Sequence, residues 1–303
     1  MNTRVTGRVV SAHGRHYVVE LPDGSQRHCY PRGKRAEAVV GDRVKVSLQD
    51  GEEGAIESIE PRRNLLFRSD QQRSKQFAAN LDQLIIVVAT EPEFSDNLVG
   101  RALTAAASAN IPSLVVLNKV DRPANLERAR NRLAPLRALE LPIVEVSALD
   151  QASTRNQLHP YLSGRTSLLL GQSGMGKSTL LNALAPGADA ATREHSTALG
   201  TGRHTTTSTR LYHLPSYQGQ PGGDLIDSPG FQEFGLQHLS REDVERGFPE
   251  FAEHAKLCRF YNCTHRHEPG CMVLEALNAS AISPERHALY ERIVAENEAG
   301  QRY

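Results

Sequence analysis

The chain has 303 residues, 39% of them hydrophobic and 23% charged, with 35 basic and 35 acidic side chains and no net charge. That composition supplies enough apolar volume for packed cores, excludes a wholly disordered chain, and suits two or three small domains. The longest aliphatic run, residues 84–89, falls far short of the roughly 20 residues of a membrane span, and the N-terminal MNTRVTGRVV has no apolar signal core, so the expectation is a soluble, cytoplasmic chain.

Residues 1–62 read as a small closed barrel. The runs RVTGRVV, HYVVEL, RVKVSL and AIESIE alternate apolar and polar residues as half-buried strands do. Turn signals at His13-Gly14, Asp23-Gly24, Gly41-Asp42 and Asp50-Gly51 separate them. An oligonucleotide-binding (OB) barrel fits this size, and an SH3-like barrel fits the pattern almost as well. Residues 1–48 hold nine Lys/Arg against four Asp/Glu, a net +5. That excess suits a polyanionic partner, and equally an ordinary solvated surface. Cys29 reads as a plain barrel residue. Residues 63–80 break the strand rhythm and carry Arg63, Arg68, Arg73 and Lys75 against Asp70. They read as a basic linker, either touching phosphates or simply solvated.

From 81 to 240 short apolar strands alternate with helices. Strands are predicted at 84–89, 113–117, 143–146, 166–170, 210–214 and 224–226, and helices at 98–110, 126–139 and 177–184. This alternation means a mainly parallel sheet covered by helices, with ligands at the carboxyl ends of the strands.

The run Gly171-Gln172-Ser173-Gly174-Met175-Gly176-Lys177-Ser178 fits the phosphate-binding loop G-x-x-x-x-G-K-[ST], between a strand and a helix as that loop requires. Backbone N–H groups of the curled loop and the positive end of the following helix, which opens Lys177-Ser178-Thr179, would hold phosphates. Lys177 would reach the β- and γ-phosphates, and the Ser178 hydroxyl would bind Mg²⁺. The base is chosen elsewhere, by Asn118-Lys119-Val120-Asp121 just after the strand at 113–117. The Asp121 carboxylate can accept from the N1–H and amine of guanine, a donor pair adenine lacks. Asn118 can serve ring acceptors, and the Lys119 stem can cover the base. Ser147-Ala148 ends the next strand, where a backbone N–H suits the guanine oxygen. Asp227-Ser-Pro-Gly230 ends another strand, with Asp227 directed to Mg²⁺ and the Gly230 N–H to the γ-phosphate. The polar stretch between Gly187 and Thr209 lies where a nucleotide-ordered switch belongs, with Thr206 or Thr207 as a second Mg²⁺ hydroxyl.

The usual GTPase order is phosphate loop, threonine switch, DxxG, NKxD, SA. Here the cycle starts at Asn118–Asp121 and ends at Asp227–Gly230. This is a circularly permuted GTPase domain, tolerable because the site is built from strand ends. Phe231 stands where many GTPases carry a water-orienting Gln. His204, beside the switch threonines, is the candidate catalytic group in cis, since His works near neutral pH. The same His204 could instead bind an RNA phosphate or face solvent.

Residues 241–303 carry eight Lys/Arg and eleven Asp/Glu, a net −3. Helices are predicted at 242–251, 272–278 and 284–297. Between them Cys258-x4-Cys263-x-His265-x5-Cys271 offers three thiolates and an imidazole, the donor set of a structural zinc site. His267 and His254 are rival ligands. The neighbouring helices look poor in core, so metal binding, on the order of 10 kcal/mol, would hold this unit together.

The barrel, permuted GTPase and Cys/His segment together resemble the ribosome small subunit-dependent GTPase A family over essentially the whole chain. The resemblance implies slow GTP hydrolysis stimulated by the small (30S) ribosomal subunit, contact with its ribosomal RNA, and a role in that subunit's late maturation. GTP and GDP, Mg²⁺ and one Zn²⁺ are the expected ligands, and a monomer the expected state. Two other readings stay open: an RNA-binding nucleotide switch with negligible hydrolysis, favoured by Phe231, and an ATPase with a degenerate NKVD.

Overall fold

A computed structural model of the chain describes residues 4–32, 37–48, 53–69, 74–188, 209–229 and 234–300. The N-terminal strands are β1 (Arg4–His13), β2 (His16–Glu20), β3 (Gln26–Pro31), β4 (Arg43–Leu48) and β5 (Glu53–Ile59). Their pairing runs β1-β2-β3-β5-β4 and closes through β1–β4; every contact is antiparallel except β3–β5. This closed five-stranded path is the OB arrangement rather than the SH3-like one. Alternate residues point inward, so Val9, Tyr17, Val19, Cys29, Val44, Val46 and Ile56 fill a core of their own. Strand β3, QRHCYP, is an element the sequence reading lacks. Only Cys29 in it is buried, so it shows no apolar alternation.

The stretch 63–80, expected as a linker, is a hairpin of β6 (Leu65–Ser69) and β7 (Ser74–Ala79). Leu66 and Phe77 are buried, and Phe77 stacks on Phe234 at 5.7 Å between ring centres. The charges around it obscured this apolar face. Some of those charges are internally committed. Arg62 makes two 2.8 Å hydrogen bonds to the fully buried Asp42, and Arg63 pairs with Asp82 at 2.7 Å.

The α/β unit contains β8 (Gln83–Ala89), α1 (Asp96–Ser108), β9 (Ser113–Asn118), α2 (Leu126–Arg137), β10 (Ile143–Glu145), α3 (Gln151–Leu162), β11 (Thr166–Leu170), α4 (Lys177–Leu184), β12 (Thr209–His213) and β13 (Asp224–Asp227). Strand order is β10-β9-β8-β11-β13-β12, parallel throughout except for β12. The central strand β8 is buried along its whole length, as a strand covered on both faces must be. Helix α3, absent from the sequence reading, is capped by the Asp150 carboxylate, which accepts from the Ser153 N–H at 3.0 Å. Its polar composition and internal Pro160 hide the helical period. Strand β1 bulges between Val9 and Ser11, and beyond the bulge Ser11 and Ala12 pair with Arg210 and Thr209 of β12. Barrel and parallel sheet are therefore one hydrogen-bonded surface.

The C-terminal segment forms α5 (Arg241–Glu245), α6 (Ala252–Ala255), α7 (Met272–Asn278) and α8 (Pro284–Gly300). The single helix expected at 242–251 is instead α5 and a 3-10 turn at Pro249–Phe251. The expectation of a poor core is also overturned. Phe248, Phe251, Val273, Tyr290 and Ile293 are buried, and they join the core of the parallel sheet rather than form a separate one. The Tyr290 ring of α8 packs on Phe248 and Phe251 from a distant stretch of chain, so no local pattern exposes this core. Arg101 of α1 pairs with Glu296 at 2.6 Å, and the Asn297 amide donates to Leu236 and Leu239 carbonyls at 3.0 and 2.9 Å. Among the described residues, no helix is long and apolar enough to cross a membrane.

Candidate functional site

Five parallel strands end on one side of the sheet, and each delivers a motif. Thr90 and Glu91 follow β8, Asn118 closes β9, Val146 to Ala148 follow β10, Gly171 follows β11 and Asp227 closes β13. The permutation leaves this geometry intact because each loop is held by its own strand.

Asn118 joins three of these loops. It is 1% exposed; its side-chain amide donates to the Met175 carbonyl at 3.0 Å, and its oxygen accepts from the Ala148 N–H at 3.0 Å. The Ala148 N–H is thus engaged with Asn118. Lys119, at a φ of 63°, donates from Nζ to the Glu91 and Gly174 carbonyls at 2.9 and 2.8 Å, so its stem crosses from the end of β8 to the glycine loop. Val120 is half-buried, Asp121 exposed and Ser147 half-buried; the Ser147 carbonyl accepts from the Thr154 hydroxyl at 2.8 Å.

In the glycine loop, Gly176 has a φ of 87°, and a Cβ there would stand 2.3 Å from the Asn118 amide nitrogen. A Cβ on Gly171 would stand 2.5 Å from the Val87 carbonyl oxygen. Glycine is required at both, by backbone conformation at the first and by close approach at the second. The Lys177 ammonium donates to the Gly171 and Gln172 carbonyls at 2.7 and 3.0 Å. Burial lowers its pKa, and the Asp227 carboxylate opposes the shift. Gln172 accepts from the Ser95 N–H at 2.7 Å, Met175 is buried, and Ser173, Gly174, Ser178 and Thr179 are exposed. Asp227 is buried beside Lys177, and the Ser228 hydroxyl donates to the Leu169 carbonyl at 3.0 Å. His204, Thr206, Thr207, Gly230, Phe231 and Gln232 lie outside the described residues.

The sequence reading missed Thr90 and Glu91. The Thr90 hydroxyl donates to the Lys119 carbonyl at 2.9 Å, and its N–H donates to the Asn118 carbonyl at 3.2 Å. Their position at the carboxyl end of the most apolar strand is the signal that points to them.

The second cluster is Cys258, Cys263, His265 and Cys271, whose ligand atoms all lie within 4.8 Å of one another. His265 Nδ1 stands 3.6 and 3.5 Å from the Cys258 and Cys271 sulfurs, and those sulfurs are 3.9 Å apart. A tetrahedron with metal–sulfur bonds of about 2.3 Å has edges of about 3.8 Å, so this donor set fits one metal ion. His267 is exposed and outside the cluster; His254 supplies only its carbonyl, toward Cys258. Burial pushes the Cys263 thiol up to about 12 and lowers His265. Glu268 shapes the intervening turn, accepting from the Thr264, Arg266 and His267 N–H groups at 2.9, 3.2 and 3.3 Å. Burial alone would raise its pKa, but the Thr264 and backbone hydrogen bonds hold it well below the usual carboxylate range. The His287 ring bonds the His265 carbonyl at 2.7 Å and steadies the ligand from behind.

Known proteins match this chain along its length. It is 63% identical over 302 residues, covering 100% of this chain and 99% of the relative, to the small ribosomal subunit biogenesis GTPase RsgA of Bordetella pertussis strain Tohama I. A relative of the same name from Burkholderia pseudomallei strain K96243 is 58% identical, covering 97% of this chain and 92% of its own. The crystal structure of YjeQ from Thermotoga maritima superposes with a TM-score of 0.73 at 30% identity, covering 97% of this chain and 99% of that one. The crystal structure of YloQ, a circularly permuted GTPase, shares the fold at a TM-score of 0.69 and 24% identity, over 98% and 96% of the two chains. The family model for the RsgA GTPase matches residues 59–237. With its permuted motif order, OB barrel and Cys₃His cluster, the chain belongs to the RsgA GTPase family of GTP hydrolases.

Proposed function

We propose that this protein is a cytoplasmic, monomeric GTPase that hydrolyses GTP slowly alone and faster on the small ribosomal subunit, and that it assists late maturation of that subunit while holding its ribosomal RNA. The observation that carries the nucleotide reading is the buried Asn118, which ties NKVD, the SA segment and the glycine loop into one site. The ribosomal reading rests on full-length similarity to relatives named for small-subunit biogenesis.

In this reading Asp121 accepts from guanine and the Lys119 stem lies along the base. The N–H groups of residues 171–179 surround the phosphates, and Lys177 exchanges its loop carbonyls for phosphate oxygens. Ser178, Asp227 and Thr206 would hold Mg²⁺, which when bound neutralises charge on the phosphate oxygens. The buried Asp227 beside Lys177 and the exposed Ser178 suit that role. The Gly230 N–H reads the γ-phosphate, and His204 orients the attacking water. Cys258, Cys263, His265 and Cys271 hold one structural Zn²⁺. The barrel, residues 1–62, contacts RNA phosphates through the basic side chains concentrated in residues 1–48.

Phosphate release from GTP, measured with and without small subunits, tests the proposal. Turnover alone is expected on the order of 10⁻⁴ to 10⁻² s⁻¹, rising strongly with small subunits and unchanged with large ones. Unstimulated turnover in the presence of small subunits would remove the ribosomal half of the reading. Loss of stimulation in His204→Ala would support the water-orienting role.

A further inference from the structure

The Asp121 carboxylate is exposed and has no hydrogen bond or ion pair of its own among the described residues. An exposed carboxylate on a free turn samples many positions, and ordering it on contact with a base costs affinity. Whatever holds the turn therefore sets how well the base is read. On one side of Asp121, the turn is held by Asn118 and Lys119. On the other it continues through Arg122 into the 3-10 turn Pro123–Asn125. Both ends of that stretch reach one carboxylate. Arg122 Nη1 is ion-paired with Glu91 Oε1, and the Asn125 amide donates to Glu91 Oε2 at 3.5 Å.

Glu91 lies on a strap, residues 90–95, that joins β8 to α1. The Thr90 hydroxyl donates to the Lys119 carbonyl at 2.9 Å, and the Glu91 carbonyl accepts from Lys119 Nζ at 2.9 Å. The Ser95 N–H donates to the Gln172 side chain at 2.7 Å. A Cβ on Gly174 would stand 3.2 Å from Pro92 Cγ, so the proline ring rests on the glycine loop. The strap thus braces the base-reading loop and the phosphate loop together. Its other acid, Glu93, turns away to Arg128 and Arg132 of α2. Glu91 is the acid of the strap that reaches beyond Asp121.

We infer that Glu91 is a positioning residue for base recognition. Its carboxylate, by holding Arg122 and Asn125, fixes the turn that presents Asp121 and sets how sharply guanine is distinguished from a base without the 2-amino group. The inference deepens the guanine reading proposed above and rests on it. The side chains of Glu91 and Arg122 are 38% and 52% exposed. A pair so exposed adds little to global stability, so its loss acts on the local turn and leaves the fold intact.

Calorimetric binding of GDP and IDP to the full-length protein tests this. IDP lacks the exocyclic amine from which Asp121 accepts, so the ratio of the two affinities reports how well that carboxylate is placed. The wild type is expected to prefer GDP by about tenfold or more. In Glu91→Ala the ratio should fall about three- to fivefold, through weaker GDP binding, with Tm unchanged. Arg122→Ala should lower it in the same direction. The double variant should lose no more than Glu91→Ala alone, because both changes remove one contact. Glu91→Gln keeps an acceptor oxygen at the same reach and should restore the ratio toward the wild type. An unchanged ratio in Glu91→Ala, equal weakening of both nucleotides, or losses that add in the double variant overturns the positioning role while the guanine reading stands. Wild-type protein that binds GDP and IDP alike removes the guanine reading itself.

Discussion

At the scale of residues, the site depends on short-range chemistry arranged by a few long-range bonds. Asp121 is exposed and follows a loop anchored by Asn118 and Lys119, so its carboxylate is positioned without being consumed. Asp121→Asn should replace an acceptor by a mixed donor and acceptor. GTP affinity is expected to fall roughly 10- to 150-fold, the worth of a charged hydrogen bond, with xanthine nucleotides binding better than guanine ones. Competition binding with GTP, XTP and ATP checks this, and an unchanged preference for guanine would reject the base-reading assignment. The motifs themselves were legible because each is contiguous and each sits at a strand end. The role of Asn118 was not, because its partners Met175 and Ala148 lie 57 and 30 residues away.

Elements were legible in proportion to their periodicity. The apolar runs at β8, β9 and β11 and the amphipathic α4 stand out, while β3, α3 and the β6–β7 hairpin do not. Each of these three carries charged or polar residues on its outer face and only a few anchors inward, such as Cys29, Leu158 or Leu66. The C-terminal elements depend on both an aromatic core and the Cys₃His cluster. Removing the metal by chelation, or Cys258→Ser, should therefore loosen the segment without unfolding the parallel sheet. A loss of several kcal/mol is expected, lowering Tm by roughly 10 °C, with GTP affinity retained. Calorimetry with metal analysis reads this out, and an unaltered Tm after complete metal loss would show that the aromatic core suffices.

On the scale of the whole molecule, the barrel meets the parallel sheet through β1 and β12 and through a polar latch behind them. The Arg8 guanidinium pairs with Asp224 and donates to the Thr166 hydroxyl at 2.9 Å, while the His213 ring bonds Asp224 at 2.7 Å and Glu20 at 2.9 Å. Burial alone would lower the His213 pKa, but Glu20 and Asp224 raise it above its ordinary value. Burial would raise Asp224, but Arg8 and His213 bring it below its ordinary value. The His213 contribution is then complete below about pH 6.5 and is lost as pH rises through the raised value; that of Asp224 is complete above about pH 4 and is lost as pH falls through the depressed one. His213→Gln should accordingly lower Tm most near pH 5 to 6 and have little effect near pH 9. Thermal melts of both proteins across that range check the sign, and a deficit that grows toward pH 9 would reject the latch.

The strings that carry the proposed chemistry were readable before the fold was known. The G-x-x-x-x-G-K-S run, the NKVD run, the aspartate that closes β13 and the Cys/His set are local strings whose geometry follows from a strand end, a helix start or a short turn. Their permuted order was readable for the same reason, since strand ends do not depend on where the termini fall. Four facts needed the folded chain: which barrel the N-terminal strands close into, that the C-terminal helices share the core of the parallel sheet, that β1 continues that sheet, and that Asn118 joins three loops. Those facts rest on contacts between residues tens to hundreds of positions apart, where burial and hydrogen-bond satisfaction across the chain, not local pattern, select the partner.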